Sequence, residues 1–163
     1  GYMVAGAVES LDGTSVLLYA SGQPFTHGGD AAAVTWANNT GIRVLRSRKH
    51  GFVSISAPYR FNQPRSSMPH FVTKPINVPD GEVSLLLNIK TSNVGFAVVE
   101  LRTPTGSALP GFEWNASDPI RANSVGARAS WNRRTRTFSV PDGKVVVAVA
   151  FADAELYSLW FEV

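Results

Sequence analysis

Short apolar runs broken by glycine and proline are the feature that most constrains how this chain folds. Apolar residues alternate with polar ones, or form strand-length runs rich in valine, isoleucine, phenylalanine and tyrosine. No helical periodicity is sustained, so the pattern predicts an all-β chain with antiparallel sheets. Strands are predicted near residues 3–8, 15–20, 42–46, 52–56, 70–76, 82–90, 95–103, 128–131, 135–140, 144–151 and 155–162.

One pattern, apolar-x-Val-Pro-Asp-Gly-x-Val, occurs at residues 76–83 and again at 138–145. Proline fixes φ at the first turn position and glycine supplies a positive φ near its end, so each copy predicts a strand, a turn and a second strand. We expect the two copies to occupy related places at one end of a sandwich. A calcium site formed by Asp80 and Asp142 is a second interpretation, although turn chemistry alone already favours aspartate at this position.

The composition is that of a packed globular protein: 44% of the residues are hydrophobic, 17% are charged, and the net charge is only +3. A charge this small does not predict a nucleic-acid partner. The chain has no cysteine, and His27, His50 and His70 lack the spacing of metal ligands. The longest apolar run, 145–152, is far shorter than the about 20 residues of a membrane span. We therefore predict no metal, no cofactor and no membrane span.

Several segments of the second half follow one another in an order known from one family. They are Gly95–Leu101 (GFAVVEL), Leu109–Glu113 (LPGFE), Asp118, Trp131 and the ending 153–163 (DAELYSLWFEV). This order resembles the C-terminal β-sandwich that follows the catalytic β-propeller in invertase-like glycoside hydrolases. The resemblance implies a jelly-roll-like antiparallel β-sandwich over 69–163. Its predicted core includes Val83, Leu85, Leu87, Phe96, Val98, Val147, Val149, Leu156 and Trp160.

The first part of the chain supports the same family. Segments 1–7, 15–22, 40–46 and 48–55, together with His27, resemble the last blade of the five-bladed propeller of those enzymes, although Ala20-Ser21-Gly22 and His50 replace the family's usual glycine and aspartate. The resemblance implies a blade-like segment over 1–56. Residues 57–68 contain two prolines and several polar residues without alternation, so they are predicted to be a connector.

The resemblance implies a function in which this chain supports a catalytic propeller and contacts carbohydrate. The earlier blades that carry the catalytic carboxylates are not in this sequence, and Glu9 and Asp12 belong to a turn signal, so no catalytic residue is predicted. Substrate contacts are predicted at His27, which matches a histidine of the family, and at Asp30 and Trp36. A histidine bound to a loop backbone and a tryptophan that covers the blade remain open alternatives.

A single blade exposes two apolar faces, so a partner is also predicted. We expect Val16, Leu18, Ile42, Val44 and Val53 to pack partly against a propeller chain of the same precursor or a second copy of this chain. The alternative function is a free-standing glycan-binding or assembly module without enzymatic activity. The arginines of segments 43–49 and 132–136 either contact an anion or mark solvated faces that discourage aggregation.

The predicted location is secreted or extracellular. The N-x-S/T acceptors at Asn38 and Asn115 are consistent with secretion, and the first residues show no signal-peptide pattern.

Overall fold

The computed structural model describes residues 2–22, 41–59, 67–140 and 142–163, and its strands are paired antiparallel throughout. The predicted all-β, antiparallel class is confirmed. Within these ranges no helix is long and apolar enough to cross a membrane. The chain divides into a first unit, Gly1–Phe52, and a second unit, Val53–Val163. The strands are β1 (Tyr2–Glu9), β2 (Ser15–Gly22), β3 (Gly41–Arg48), β4 (Ile55–Ala57), β5 (His70–Val72), β6 (Ile76–Asn77), β7 (Ser84–Arg102), β8 (Asn123–Arg128) and β9 (Lys144–Glu162).

The first unit contains a three-stranded sheet in the order β1-β2-β3. A tight turn with Gly13 at φ 67° joins β1 to β2. Strands β2 and β3 pair in an unbroken register from Ser15 opposite Arg48 to Gly22 opposite Gly41. This register fixes which side chains share a face of the sheet.

Two long antiparallel strands organise the second unit. β7 and β9 have 19 residues each and pair from Ser84 opposite Glu162 to Arg102 opposite Val146. β8 extends the sheet beyond β7, while β4, β5 and β6 lie along the other edge of β9. The predicted strands 82–90 and 95–103 are therefore one strand, as are 144–151 and 155–162. The strand predicted at 135–140 is reduced to isolated bridges.

The register of the β7–β9 pair shifts at two places, between Asn88 and Ile89 and, over a longer interruption, between Thr91 and Phe96. Opposite the longer interruption, Asp153 of β9 has a left-handed backbone with φ 48°. The hydroxyl of Ser92 donates to the Asp153 carboxylate and accepts the N–H of Gly95 at 3.0 Å. We call residues 92–95 together with Asp153 the central bulge, a feature that bends paired strands.

The core draws on both halves of the long strands. One buried cluster includes Leu85, Leu87 and Ile89 before the central bulge and Ala97, Val99 and Leu101 after it. Met68, Val98, Ala150 and Ala152 form a second cluster, so 145–152 is buried without alternation. Of the predicted core, Val83, Leu85, Leu87, Val98, Val147, Val149 and Leu156 are buried.

Two predicted core residues, Phe96 and Trp160, are only partly buried. Phe96 packs against the second cluster, and the guanidinium of Arg121 lies 5.3 Å from its ring centroid. Trp160 lies beside Gly126 of β8. Both aromatic rings therefore cover the rim of the core rather than fill its centre.

The residues that carry the resemblance have packing roles in this structure. Trp131 is fully buried, and its indole N–H donates to the Val99 carbonyl at 3.0 Å. Phe112 meets Trp131 edge to face, with ring centroids 5.0 Å apart. The Asp118 carboxylate accepts the Ser130 hydroxyl at 2.6 Å and the Arg133 backbone N–H at 2.9 Å. These contacts attach the segment 112–133 to β7 through Trp131.

The two copies of the repeated pattern lie side by side and antiparallel. The first residue of each copy faces the last of the other, because Ile76 is opposite Val145 and Val83 is opposite Phe138. The glycines at the shared turn position, Gly81 and Gly143, both have positive φ, 93° and 61°. The two copies therefore occupy related places in the second unit. The described residues contain no cluster of three or more His, Asp or Glu side chains that could hold a metal.

The division between the units differs from the predicted boundary at residue 56. Val53 and the residues after it belong to the second unit, and Ile55 pairs with Leu156 of β9. Backbone groups of β4 therefore complete an edge of β9 instead of adding a fourth strand to the first sheet. In the predicted connector, Ala57 is buried, and residues 60–66 lie outside the described ranges.

We expect Leu87→Ala to lower the free energy of unfolding by about 2–5 kcal/mol, because the side chain is fully buried and its removal leaves a cavity. Denaturant unfolding followed by tryptophan fluorescence would measure the change. Val94 is 56% exposed, so Val94→Ala should change stability by less than about 0.5 kcal/mol. Equal effects of the two substitutions would contradict the assigned core.

We expect Gly95→Ala to destabilise the second unit by about 1–3 kcal/mol through overpacking. A Cβ atom at this position would lie 2.1 Å from the backbone oxygen of Asp153. Thermal unfolding monitored by circular dichroism tests this. At Gly126 the nearest atom to an added Cβ is 3.4 Å away, so Gly126→Ala is the matched control and should unfold close to the wild-type temperature.

Candidate functional site

The sequence-predicted contacts to substrate, His27, Asp30 and Trp36, lie in residues 23–40, outside the described residues. Their predicted role stays a prediction. The described part of the first unit instead carries exposed apolar side chains, whose positions follow from the register of its three strands.

The register assigns apolar side chains to both faces of the first sheet. Leu18 is flanked by Ala7 and Leu45, whereas the next residue, Tyr19, is flanked by Gly6 and Val44. Because successive side chains on a strand point to opposite faces, two sets result. The first face carries Ala7, Val16, Leu18 and Leu45. The second face carries Val8, Leu17, Tyr19, Ile42 and Val44.

Both faces are substantially exposed. On the second face Ile42 is 79% and Val44 is 53% exposed, and on the first face Leu45 is 51% exposed. Val16 and Leu18 are half-buried. An antiparallel sheet normally packs one face on a core and turns a polar face to water, whereas the described strands of the first sheet carry exposed apolar residues on both faces.

Of the residues predicted to pack on another polypeptide, Val16 and Leu18 lie on the first face and Ile42 and Val44 on the second. Val53, which is 78% exposed, belongs to the second unit. The sequence prediction did not include Val8 or Leu45. Alternation along β3 gives the signal that finds Leu45, since it lies next to Val44 and therefore points the opposite way.

Among the strands that the structure describes, β3 lies at one edge of the first sheet. It carries Arg43, Arg46 and Arg48 between its apolar residues. Arg46 donates to the Ser15 hydroxyl at 2.7 Å and pairs with Asp12 at 3.3 Å. Charged side chains on an edge strand discourage edge-to-edge association with another strand.

The Asp12 carboxylate is hydrogen-bonded within the turn that joins β1 to β2. It accepts hydrogen bonds from the Ser10 hydroxyl at 2.6 Å and from the N–H and hydroxyl of Thr14 at 3.0 and 2.8 Å. These bonds hold the pKa of Asp12 well below its usual range, and the bond from Ser10 makes the largest contribution. Lys49 and Glu9 form an ion pair at 2.6 Å beside the turn.

Comparison with known proteins adds no relative. No protein-family model matches the chain, and neither a curated protein nor a solved structure matches it. The resemblance to invertase-like glycoside hydrolases therefore remains a prediction that rests on the motifs quoted above.

We expect the Asp12 carboxyl to remain ionised at pH values where ordinary exposed aspartates are protonated. Because its folded-state pKa is lowered, its contribution to stability is present above the unfolded-state pKa of about 3.9. That contribution is lost as the pH falls through the lower folded-state value. Carboxyl ¹³C chemical shifts recorded against pH measure this directly.

Ser10→Ala should raise the pKa of Asp12, since the Ser10 hydroxyl makes the largest contribution to lowering it. Ser47→Ala removes a hydroxyl from β3 that does not contact Asp12 and should leave the titration unchanged. An ordinary Asp12 titration in the wild type would show that the turn is not formed as described.

Proposed function

We propose that this chain is the C-terminal part of a glycoside-hydrolase-like assembly and that it supports a catalytic β-propeller carried by another polypeptide. In this proposal the first unit is the last propeller blade and the second unit is a jelly-roll-like β-sandwich. The observation that carries the proposal is the exposure of apolar side chains on both faces of the first sheet.

Propeller geometry accounts for two apolar faces. The blades of a propeller are arranged radially, and each sheet packs face to face against a neighbour on both sides. A blade therefore needs apolar residues on both faces, as the first sheet has. A small sheet with its apolar faces in water is only marginally stable, which favours a bound partner over an isolated first unit.

The second unit supports the proposal as a scaffold with a core of its own. Leu87 and Leu101, from opposite halves of β7, belong to one cluster, as expected if the bent β7–β9 pair folds its halves towards each other into a sandwich. The catalytic carboxylates belong to the partner, and His27, Asp30 and Trp36 provide the proposed carbohydrate contacts. A secreted or extracellular location belongs to the same proposal.

The alternative is a free-standing glycan-binding or assembly module without enzymatic activity. The second unit has buried clusters of its own, which favours this alternative because those clusters contain no residue of a propeller partner. In that case a second copy of the chain would cover the apolar faces of the first sheet.

Native mass spectrometry of material from its natural source separates the two functions. We expect a second, propeller-sized polypeptide bound through an interface of more than about 1,000 Å². A homo-oligomer would support the alternative. A folded monomer whose amides in residues 2–22 and 41–52 resist hydrogen exchange would contradict both.

We expect Val44→Lys and Leu45→Lys each to weaken that complex by about tenfold or more, equivalent to about 1.4 kcal/mol. Each places a charge on one face of the first sheet, where burial without a counter-ion is costly. Val94→Lys introduces the same charge at an exposed position of the second unit and is the matched control. Affinity can be measured by co-purification and sedimentation of the mixed chains.

A further inference from the structure

An open pocket of about 240 Å³ with a mixed polar and apolar lining, including Ala57 and Ala154, lies beside the central bulge of β7 and β9. We call it the bulge pocket. Its polar lining comes from three strands that are far apart in sequence and are brought together by β9. The polar residues are Ser56, Lys90, Thr91, Ser92, Asp153 and Glu155.

Its two carboxylates are held in place but retain acceptor capacity. Asp153 accepts a hydrogen bond from the Ser92 hydroxyl, and Glu155 accepts one from the Tyr157 hydroxyl. A carboxylate has two oxygens with about four lone-pair sites, so one such bond leaves most of the acceptor capacity of each group unused. Both side chains are therefore oriented and still able to bind a donor.

The pocket lining also contains a positively charged side chain, that of Lys90. Lys90 lies directly opposite Glu155 in the β7–β9 register. Its ammonium group forms no ion pair within 4.0 Å with any residue that the structure describes. Thr91, next to Lys90, adds a hydroxyl that can donate or accept. The pocket thus combines oriented acceptors, one ammonium donor and hydroxyl groups.

This mixture of charges selects the class of ligand. An anion would approach two carboxylates, and a cation would approach the Lys90 ammonium. A neutral polyhydroxyl compound avoids both conflicts, because its hydroxyl hydrogens can bind Asp153 and Glu155 while its oxygens accept from Lys90. The pocket is smaller than the about 300 Å³ at which sites for drug-sized ligands begin.

We propose that the bulge pocket binds a single ring of a neutral carbohydrate. The Ser92 hydroxyl orients the Asp153 carboxylate, and Asp153 has a left-handed backbone opposite the bulge; bulges and such backbone conformations recur at functional sites. This inference depends on the second unit alone. Failure of the propeller partnership would leave it intact, and its failure would leave the partnership intact.

Titration of the ¹⁵N-labelled full chain tests the proposal. The probes are the methyl glycosides of glucose, galactose, xylose, arabinose and fructose, with choline chloride and sodium phosphate as a cation and an anion. We expect at least one glycoside to shift the amide resonances of residues 90–92 and 153–155, with weak affinity. No glycoside shift at these positions, or a shift there caused only by choline or phosphate, would overturn the assignment.

Two variants locate the binding groups without removing the bulge. Lys90→Gln and Glu155→Gln should each weaken the glycoside that binds by about tenfold, since each removes a charge-assisted hydrogen bond. Lys74→Gln and Glu113→Gln, outside the pocket, are the matched controls and should leave binding unchanged. Undiminished binding by both pocket variants, or equal loss in the controls, would also overturn the proposal; unchanged amide spectra away from the pocket verify that each variant is folded.

Discussion

The pairing of β7 with β9 is the interaction on which the rest of the second unit depends. Each long strand runs through both halves of the sheet, so this one ladder carries the register across the central bulge. The shorter strands β4, β5, β6 and β8 are attached to its two edges. Gly95 is required at the bulge because the backbone of Asp153 occupies the space that a side chain would need. A fault in this ladder would therefore disturb both halves together.

Local pattern was sufficient to predict the strand content, the turn copies and most of the core, because alternation and turn chemistry act within a few residues. It was not sufficient at the central bulge. Ser92 and Gly95 resemble the residues of a turn, and sequence alone does not distinguish a chain that reverses from one that bulges and continues. For the same reason, residues 53–56 were predicted in the first sheet but belong to the second unit. Ile55 pairs with Leu156, which lies about a hundred residues further along the chain.

The apolar faces of the first sheet could be predicted from the sequence, whereas the bulge pocket could not. The apolar faces of the first sheet follow from alternation in β2 and β3, so Ile42 and Val44 could be recognised before any coordinates. The bulge pocket could not, because Lys90 and Glu155 become neighbours only through long-range pairing. No short motif contains both residues. Its chemistry is a property of the register and not of either strand.

The motif residues show why a resemblance of this kind is an argument about fold. Trp131 binds the Val99 carbonyl, and Asp118 fixes the turn that follows Trp131. The requirements of a buried indole and a tight turn explain both residues without reference to a substrate. A shared scaffold can carry different activities. The exposed apolar side chains on both faces of the first sheet are common to a propeller support and an independent module, and what covers those faces distinguishes the two.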